Sequence, residues 1–195
     1  MIQESLIILQ ALLKIVDYLN DMQIVHRDFK PDNILIYHSE ISLENIYLID
    51  FGLSISKKDA NDHMLCGTPG YIAPEIFNDQ VRNEADFGKI DLFSVGIIWY
   101  FCLFGKIPYD NYYDKKILLR KNKECDFFFE QNLKFEMVKD YMMLFLEKNP
   151  QRRGNIKKII KSDFFFDIYS KFDNFEEIDE IDGDRLNKNM QLFKE

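Results

Sequence analysis

Residues 26–33 of the chain read His-Arg-Asp-Phe-Lys-Pro-Asp-Asn, and Asp50-Phe51-Gly52 follows after two short apolar stretches. Carboxylates, an ammonium group and an amide oxygen are thus placed close together in the sequence. A carboxylate can orient or accept the proton of an attacking hydroxyl, and carboxylate and amide oxygens are ligands that Mg²⁺ prefers. The pattern is typical of phosphoryl-transfer chemistry, which depends on positioning and on neutralising charge.

Three further motifs follow in order along the chain. Residues 66–75 read Cys-Gly-Thr-Pro-Gly-Tyr-Ile-Ala-Pro-Glu, residues 91–96 read Asp-Leu-Phe-Ser-Val-Gly, and Asn149-Pro150 precedes Arg153. With these motifs the chain resembles the C-terminal (large) lobe of a eukaryotic protein kinase of the Ser/Thr type. The run 66–75 is most similar to the calmodulin-dependent kinase group.

The resemblance implies a role for each polar residue of the first motif. Asp28 would accept or orient the proton of the substrate hydroxyl, Lys30 would lie against the γ-phosphate, and Thr68 would contact both of them. ATP and Mg²⁺ are the implied cofactors, with Asn33 and Asp50 as the metal ligands. The implied catalytic residues are Asp28, Lys30, Asn33 and Thr68, and the implied nucleotide-binding residues are Lys30, Asp32, Asn33, Leu35 and Asp50. Read singly, Asp28 and Asn33 are also ordinary turn residues, Asp50 an ordinary carboxylate at a strand end, and Leu35 an ordinary core residue.

Other residues are given supporting roles by the resemblance. Glu75 and Arg153 are expected to form a buried ion pair, and His26 is expected to pack beside Phe51 rather than act as a base. Asp91 either accepts backbone N–H groups from the 26–28 loop or caps a helix. Arg27 is expected to meet a phosphate on the following loop.

The usual phosphorylation position in that loop is Met64, which cannot be phosphorylated. Regulation by a phosphate at this position is therefore not expected, and Ser54 and Ser56 are only weak substitutes for it.

Apolar periodicity predicts a mainly α fold with short β strands. The expected helices cover residues 5–22, with Ser5 as cap, and residues 91–104, 112–121, 135–148 and 155–163. Short strands are expected at 24–25, 34–37 and 46–49, and an exposed loop between residues 52 and 69. Residues 1–170 are interpreted as a kinase-like large lobe, and residues 171–195 as an acidic C-terminal tail.

A kinase small lobe supplies a Gly-rich loop over the phosphates and a strand lysine. No glycine precedes Gly52, so we expect the N-terminal β lobe to be absent. The first hypothesis is a protein Ser/Thr kinase that transfers the γ-phosphoryl of Mg-ATP, seen as a fragment without its small lobe. The alternative is a non-catalytic kinase-like scaffold or partner-binding module.

Composition limits the other classes of function. The net charge of −8 argues against a nucleic-acid-binding surface, because few cations are left to neutralise a phosphate backbone. Three irregularly spaced cysteines suggest neither a disulfide framework nor a zinc site. No apolar run is long enough for a bilayer. We expect a cytoplasmic or nuclear protein whose partners are a protein substrate with Ser or Thr and a regulatory protein.

Overall fold

The computed structural model describes residues 2–37, 41–56, 65–78, 88–110 and 113–173. Its helices are α1 (Ile2–Asp21), α2 (Gly88–Phe104), α3 (Lys115–Glu124), α4 (Leu133–Leu146), α5 (Ile156–Lys161) and α6 (Phe164–Asp173). Its strands are β1 (Ile24–Val25), β2 (Ile34–Ile36), β3 (Ile46–Leu48) and β4 (Ile55–Ser56). Two short 3₁₀ helices cover Pro31–Asn33 and Pro74–Phe77. The predicted mainly α fold with a few short strands is confirmed.

Helix α1 carries a wide apolar stripe, with Leu6, Leu9, Leu13 and Val16 fully buried. Residues at this spacing lie on one face of a helix and pack against the core. The expected cap at Ser5 is wrong, because α1 already begins at Ile2. The Ser5 hydroxyl instead donates a hydrogen bond to the Ile2 carbonyl at 2.7 Å.

Helix α2 is the centre of the fold. Almost all of its residues are buried, which is typical of a helix surrounded by other elements. It packs against α1 on one side and α4 on another. A Cβ at Gly96 would lie only 2.5 Å from the Phe145 Cβ, so the glycine allows α4 to approach closely.

The strands form two antiparallel pairs, β1 with β4 and β2 with β3. Strands β1 to β3 were predicted within a residue at each end, because they are short β-branched runs. Strand β4 was not, because the alternation over Leu53-Ser54-Ile55-Ser56 is short and the polar residues around it indicated a loop. In the β2–β3 pair Leu35 lies opposite Tyr47, and these side chains are 45% and 52% exposed.

Side-chain caps set the starts of three later helices. Asp114, Asn132 and Asn155 accept hydrogen bonds from the first turns of α3, α4 and α5. The predicted ranges 112–121, 135–148 and 155–163 are therefore displaced by one to three residues.

Helix α6 was not predicted. It is held by Phe164, whose ring contacts Trp99, Tyr141 and Phe145. Residues 174–195 of the expected acidic tail lie outside the described residues, and the boundary at residue 170 stays a prediction.

Within the described ranges, no helix combines the length and apolar character that crossing a membrane requires.

Candidate active site

Asp28 lies at the centre of a hydrogen-bonded group that we call the Asp28 cluster, made of Asp28, Lys30, Asn33 and Thr68. The Thr68 hydroxyl donates to Asp28 Oδ1 at 2.7 Å, and Lys30 Nζ lies 2.8 Å from Asp28 Oδ2. Lys30 Nζ also donates to Thr68 Oγ1 at 3.1 Å. Asn33 Nδ2 donates to Asp28 Oδ2 at 3.0 Å and to the Asp28 carbonyl at 2.9 Å. The structure thus brings together all four residues predicted to be catalytic.

These contacts determine the charge of Asp28. Burial alone raises the pKa of the Asp28 carboxyl, but the hydrogen bonds from Lys30, Thr68 and Asn33 outweigh burial and hold the pKa below its ordinary value. Asp28 is therefore ionised at neutral pH and available as a hydrogen-bond acceptor for a hydroxyl group.

Helix α2 holds the loop that carries Asp28 in place through two hydrogen bonds. The two carboxylate oxygens of Asp91 accept the backbone N–H groups of His26 and Arg27 at 2.8 and 2.9 Å. Arg27 has a φ of 67°, a conformation that a non-glycine residue adopts only when its surroundings impose it. Of the two predicted roles for Asp91, the structure shows the one that holds the loop.

His26 acts as a packing residue in this arrangement. Its ring contacts Phe29 and Phe51 edge to face at 5.2 and 4.9 Å between ring centroids. Nε2 lies 3.1 Å from the Ile49 carbonyl, and Nδ1 accepts the backbone N–H of Asp28. Burial lowers the pKa of His26, in spite of the opposing effect of the Ile49 carbonyl. A neutral ring with the proton on Nε2 satisfies both contacts.

Asn33 and Asp50, the predicted metal ligands, are distant in the sequence but lie on hydrogen-bonded neighbouring segments of the backbone. The backbone N–H of Ile49 donates a hydrogen bond to the Asn33 carbonyl at 2.9 Å. Asp50 is the next residue after Ile49 and so follows directly on this contact. Asp50 is exposed and has a φ of 61°, and its Oδ1 accepts the Gly52 N–H at 3.1 Å. Because Asn33 Nδ2 donates to Asp28, the side-chain oxygen of Asn33 is the atom that would bind a metal ion.

The donor set fits Mg²⁺. An amide oxygen and an exposed carboxylate are hard ligands, and Mg²⁺ takes few protein ligands while keeping several waters. Among the described residues no cluster of three or more His, Cys, Asp or Glu could hold a metal ion, which excludes a closed all-carboxylate cage in those parts of the chain.

The remaining predicted nucleotide-binding residues are both exposed. Leu35 lies on β2 with its side chain directed away from the core. Asp32 lies in the first 3₁₀ helix, where its carboxylate adds to the effect of burial in raising the pKa of Tyr71.

Arg27 is directed at the following loop. Its Nε donates to the Leu53 carbonyl at 2.6 Å, so it supports the backbone just after Gly52. Met64, at the position where the resemblance expects a phosphate, lies outside the described residues.

Glu75 and Arg153 form the predicted ion pair. Arg153 Nη1 and Nη2 donate to Glu75 Oε1 and Oε2 at 2.7 and 2.9 Å, and both side chains are 0% exposed. The guanidinium also donates to the carbonyls of Lys89 and Glu147. This pair joins the end of the Thr68 loop to the segment before α5.

Sequence reasoning missed two supporting residues. Ser94 Oγ donates to the Tyr71 carbonyl at 2.7 Å, and the buried Asn122 bonds the backbone on both sides of Tyr71. For Asn122 a signal was present, since it lies one helical turn after the buried Leu118 and so falls on the core face of α3.

Comparisons of the sequence with known proteins all point to one family. The protein kinase domain model matches residues 3–165. A Dictyostelium discoideum protein named as a probable myosin light chain kinase is 36% identical over 160 residues, which cover 80% of this chain and 32% of the relative. CBL-interacting protein kinase 32 of Oryza sativa subsp. japonica is 32% identical over 166 residues, or 83% of this chain and 36% of the relative.

The human calcium/calmodulin-dependent protein kinase type 1B is 34% identical over 149 residues, which cover 75% of this chain and 42% of the relative. The chain thus spans a third to two fifths of the length of these relatives. They include the kinase group that the run 66–75 indicated. The four ordered motifs, the Asp28 cluster and a family match over most of the sequence lead to one conclusion: the chain belongs to the protein kinase family.

Proposed function

We propose that this chain is the catalytic large lobe of a protein Ser/Thr kinase that transfers the γ-phosphoryl group of Mg-ATP to a protein hydroxyl. The observation that carries the proposal is the Asp28 carboxylate, held between the Lys30 ammonium and the Thr68 hydroxyl at 2.8 and 2.7 Å. A lobe that served only as a scaffold would have no chemical need for this set of contacts.

Each residue of the cluster has a task that follows from its contacts. Ionised Asp28 accepts a hydrogen bond from the substrate hydroxyl and orients its oxygen for attack. Lys30, already beside Asp28, offers positive charge to the oxygens of the transferred group, where charge stabilisation contributes most. Thr68 holds both side chains in place.

Lys30 also supports the Ser/Thr assignment. In the resembled family a lysine two residues after the catalytic aspartate is typical of enzymes that phosphorylate Ser and Thr. The relatives' names describe protein kinases, among them a calcium/calmodulin-dependent one.

Asn33 and Asp50 are proposed to hold Mg²⁺, which would neutralise phosphate charge when bound. Leu35 is proposed to lie beneath the adenine ring, because it presents an exposed apolar surface next to Asn33. Asp32 is also proposed to contact the nucleotide, because it is exposed and lies one residue before Asn33.

The binding partners of this chain are also proposals. The protein substrate supplies a Ser or Thr hydroxyl, and a regulatory protein is a second expected partner. Two relatives are named for interactions of this type, with CBL and with calmodulin. The cytoplasmic or nuclear location stays a prediction.

A non-catalytic interaction module remains the second candidate, because one observation favours it. Large apolar side chains are exposed on and beside the β2–β3 pair, namely Leu35, Tyr37, Tyr47, Ile49 and Phe51. Exposed apolar surface of this kind marks interaction sites.

Thermal unfolding with and without Mg-ATP separates the two candidates. A ligand that binds only the folded state at about 100 times its Kd stabilises by about 2.7 kcal/mol. We expect Mg-ATP to raise the Tm of the wild-type chain, and Asp50→Asn to abolish the rise. The matched control is Asp21→Asn, an exposed aspartate on α1, which should respond like the wild type.

Phosphate transfer to peptides then tests the chemistry. With radiolabelled ATP, we expect incorporation into a Ser or Thr peptide, none into its Tyr counterpart, and none with Asp28→Asn. A chain that shows neither a Tm response to Mg-ATP nor transfer, while it captures protein partners, would support the interaction module instead.

A further inference from the structure

A buried amide on α3 contacts the loop that carries Thr68. The side chain of Asn122 is 0% exposed. Its Oδ1 accepts the backbone N–H of Gly70 at 3.0 Å, and its Nδ2 donates to the Ile72 carbonyl at 2.6 Å and to the Tyr109 hydroxyl at 3.2 Å. Both polar atoms of the amide are therefore used, and two of the three bonds go to the loop.

The two loop groups that bond Asn122 determine which side chain is suitable at position 122. One partner is a backbone donor and the other a backbone acceptor, so the side chain must accept and donate at the same time. A carboxylate of the same size would set an oxygen against the Ile72 carbonyl. A leucine would leave the Gly70 N–H and the Ile72 carbonyl buried and unpaired, which is costly. Asparagine meets both requirements.

Two further features hold the loop that contains Thr68 and Gly70 in place. The Tyr71 N–H donates to the Thr68 carbonyl at 3.0 Å, which closes a turn over residues 68–71. Gly70 has a φ of +94°, and a Cβ there would lie 3.0 Å from Ile107 Cδ1. The Gly70 backbone thus packs closely against Ile107, and its N–H donates to Asn122.

Thr68 stands at the start of this turn. Its hydroxyl reaches Asp28 and Lys30 only while the turn keeps its place. A shift of the Gly70 peptide would therefore move Thr68 relative to the Asp28 cluster.

We propose that Asn122 is a positioning residue, which locks the turn over residues 68–72 to helix α3 and so holds Thr68 at Asp28. The catalytic consequence rests on the proposed kinase function, whereas the lock itself does not. Without the lock only a fraction of the molecules would present Thr68 correctly, and the apparent efficiency would fall to that fraction of the wild-type value.

Two variants on the same contact test the proposal. Asn122→Leu removes both loop bonds at similar volume. Tyr109→Phe removes only the third bond of Asn122 and leaves both loop bonds in place, so it is the matched control. Ile159→Val, in the core at α5, controls for a general loss of stability.

Hydrogen exchange of the Gly70 amide measures the lock directly. We expect exchange in Asn122→Leu to be faster by about tenfold or more, which corresponds to one lost buried hydrogen bond. Tyr109→Phe and Ile159→Val should exchange at close to the wild-type rate at this amide.

Kinetics measure the consequence at a temperature well below the Tm of every variant. In Asn122→Leu, kcat/KM for a Ser peptide should fall by about tenfold or more, while the Kd for Mg-ATP should stay unchanged, because the proposed metal ligands lie outside the turn. If Asn122→Leu does not fold, Asn122→Ser carries the same test, because its shorter hydroxyl cannot reach both loop groups.

Three outcomes decide the matter. Gly70 exchange and peptide kinetics that match those of Tyr109→Phe would overturn the proposal. So would a parallel loss of Mg-ATP binding and peptide activity, because that pattern indicates general destabilisation. If the wild type transfers no phosphate but Gly70 exchange rises only in the Asn122 variants, the kinase proposal fails and the lock is supported.

Discussion

Replacing Arg153 with methionine should destabilise the protein strongly, because it leaves a buried carboxylate without its cation. Arg153 and Glu75 are paired through two hydrogen bonds of 2.7 and 2.9 Å, and neither side chain has any exposed surface. Breaking such a pair from one side costs about 3–5 kcal/mol. The carbonyls of Lys89 and Glu147 also lose a donor, which places the expected cost toward the upper end of that range.

The expected change in melting temperature follows from the size of the chain. For domains of 150–250 residues, 1 kcal/mol shifts the Tm by about 2–4 °C. A loss of about 3–5 kcal/mol therefore lowers the Tm by roughly 6–20 °C. Urea unfolding followed by circular dichroism gives the free energy by linear extrapolation.

An exposed pair with the same separation is the control. Lys157 Nζ lies 2.7 Å from Asp21 Oδ1, as close as the atoms of the buried pair, but these side chains are 55% and 60% exposed. Lys157→Met should leave the unfolding curve indistinguishable from that of the wild type, because solvent screens exposed pairs. The comparison separates the effect of burial from the effect of distance.

A double variant completes the cycle. Glu75→Gln added to Arg153→Met removes the unpaired charge, so the double variant should be less destabilised than the sum of the two single ones. An Arg153→Met loss below about 1 kcal/mol, or a strictly additive cycle, would refute the reasoning that a desolvated carboxylate dominates the cost.

Three further predictions concern the Asp28 cluster and the loop that carries Asp28. Thr68→Ala should lower kcat for peptide phosphorylation by about tenfold without changing the Kd for Mg-ATP, and Thr68→Ser should restore it; an unchanged kcat would contradict the role of the hydroxyl. Asp91→Ala should cost about 2–4 kcal/mol in urea unfolding, because the buried backbone N–H of His26 and the partly buried one of Arg27 lose their acceptor; a neutral result would mean that water replaces it. Because the pKa of His26 is lowered by burial, its contribution to stability is complete above the unfolded value of 6.5 and is lost as the pH falls below it. His26→Gln should therefore lose less stability than the wild type between pH 7 and pH 5.

Much of the site could be predicted from the sequence because its residues are close together in the chain. Asp28, Lys30 and Asn33 occupy one loop and one 3₁₀ turn, so their spacing almost fixes their geometry. Thr68 and Asp91 came from longer motifs, and both lie where the motifs indicated. Their roles in catalysis and in binding stay predictions.

Helix ends were harder to predict because capping competes with periodicity. The apolar pattern of α4 suggested a start at residue 135, but the Asn132 side chain accepts the Phe135 N–H and starts the helix at Leu133. Helix α1 begins before its expected cap, because Ile2 packs against the core and the Ser5 hydroxyl bonds the Ile2 carbonyl within the first turn.

Tertiary contacts explain the remaining misses. Strand β4 exists because β1 pairs with it, and the alternation in its own sequence is too short to have indicated a strand. Asn122 has its two loop partners 50 and 52 residues earlier in the chain, and a sequence pattern carries no record of such a distant pairing. Its position on the core face of α3 indicates burial but not the identity of the partner.

Helix α2 connects these observations. Asp91 holds the backbone of the loop that carries Asp28, and Ser94 holds the Tyr71 carbonyl in the turn that carries Thr68. Positions three apart lie on the same face of a helix, about 5–6 Å from one another. One turn of α2 therefore sets the spacing between the two loops whose side chains meet in the Asp28 cluster. This gives a physical reason for two buried polar residues in a largely apolar helix: burying Asp91 and Ser94 is compensated by hydrogen bonds that fix the geometry of the site.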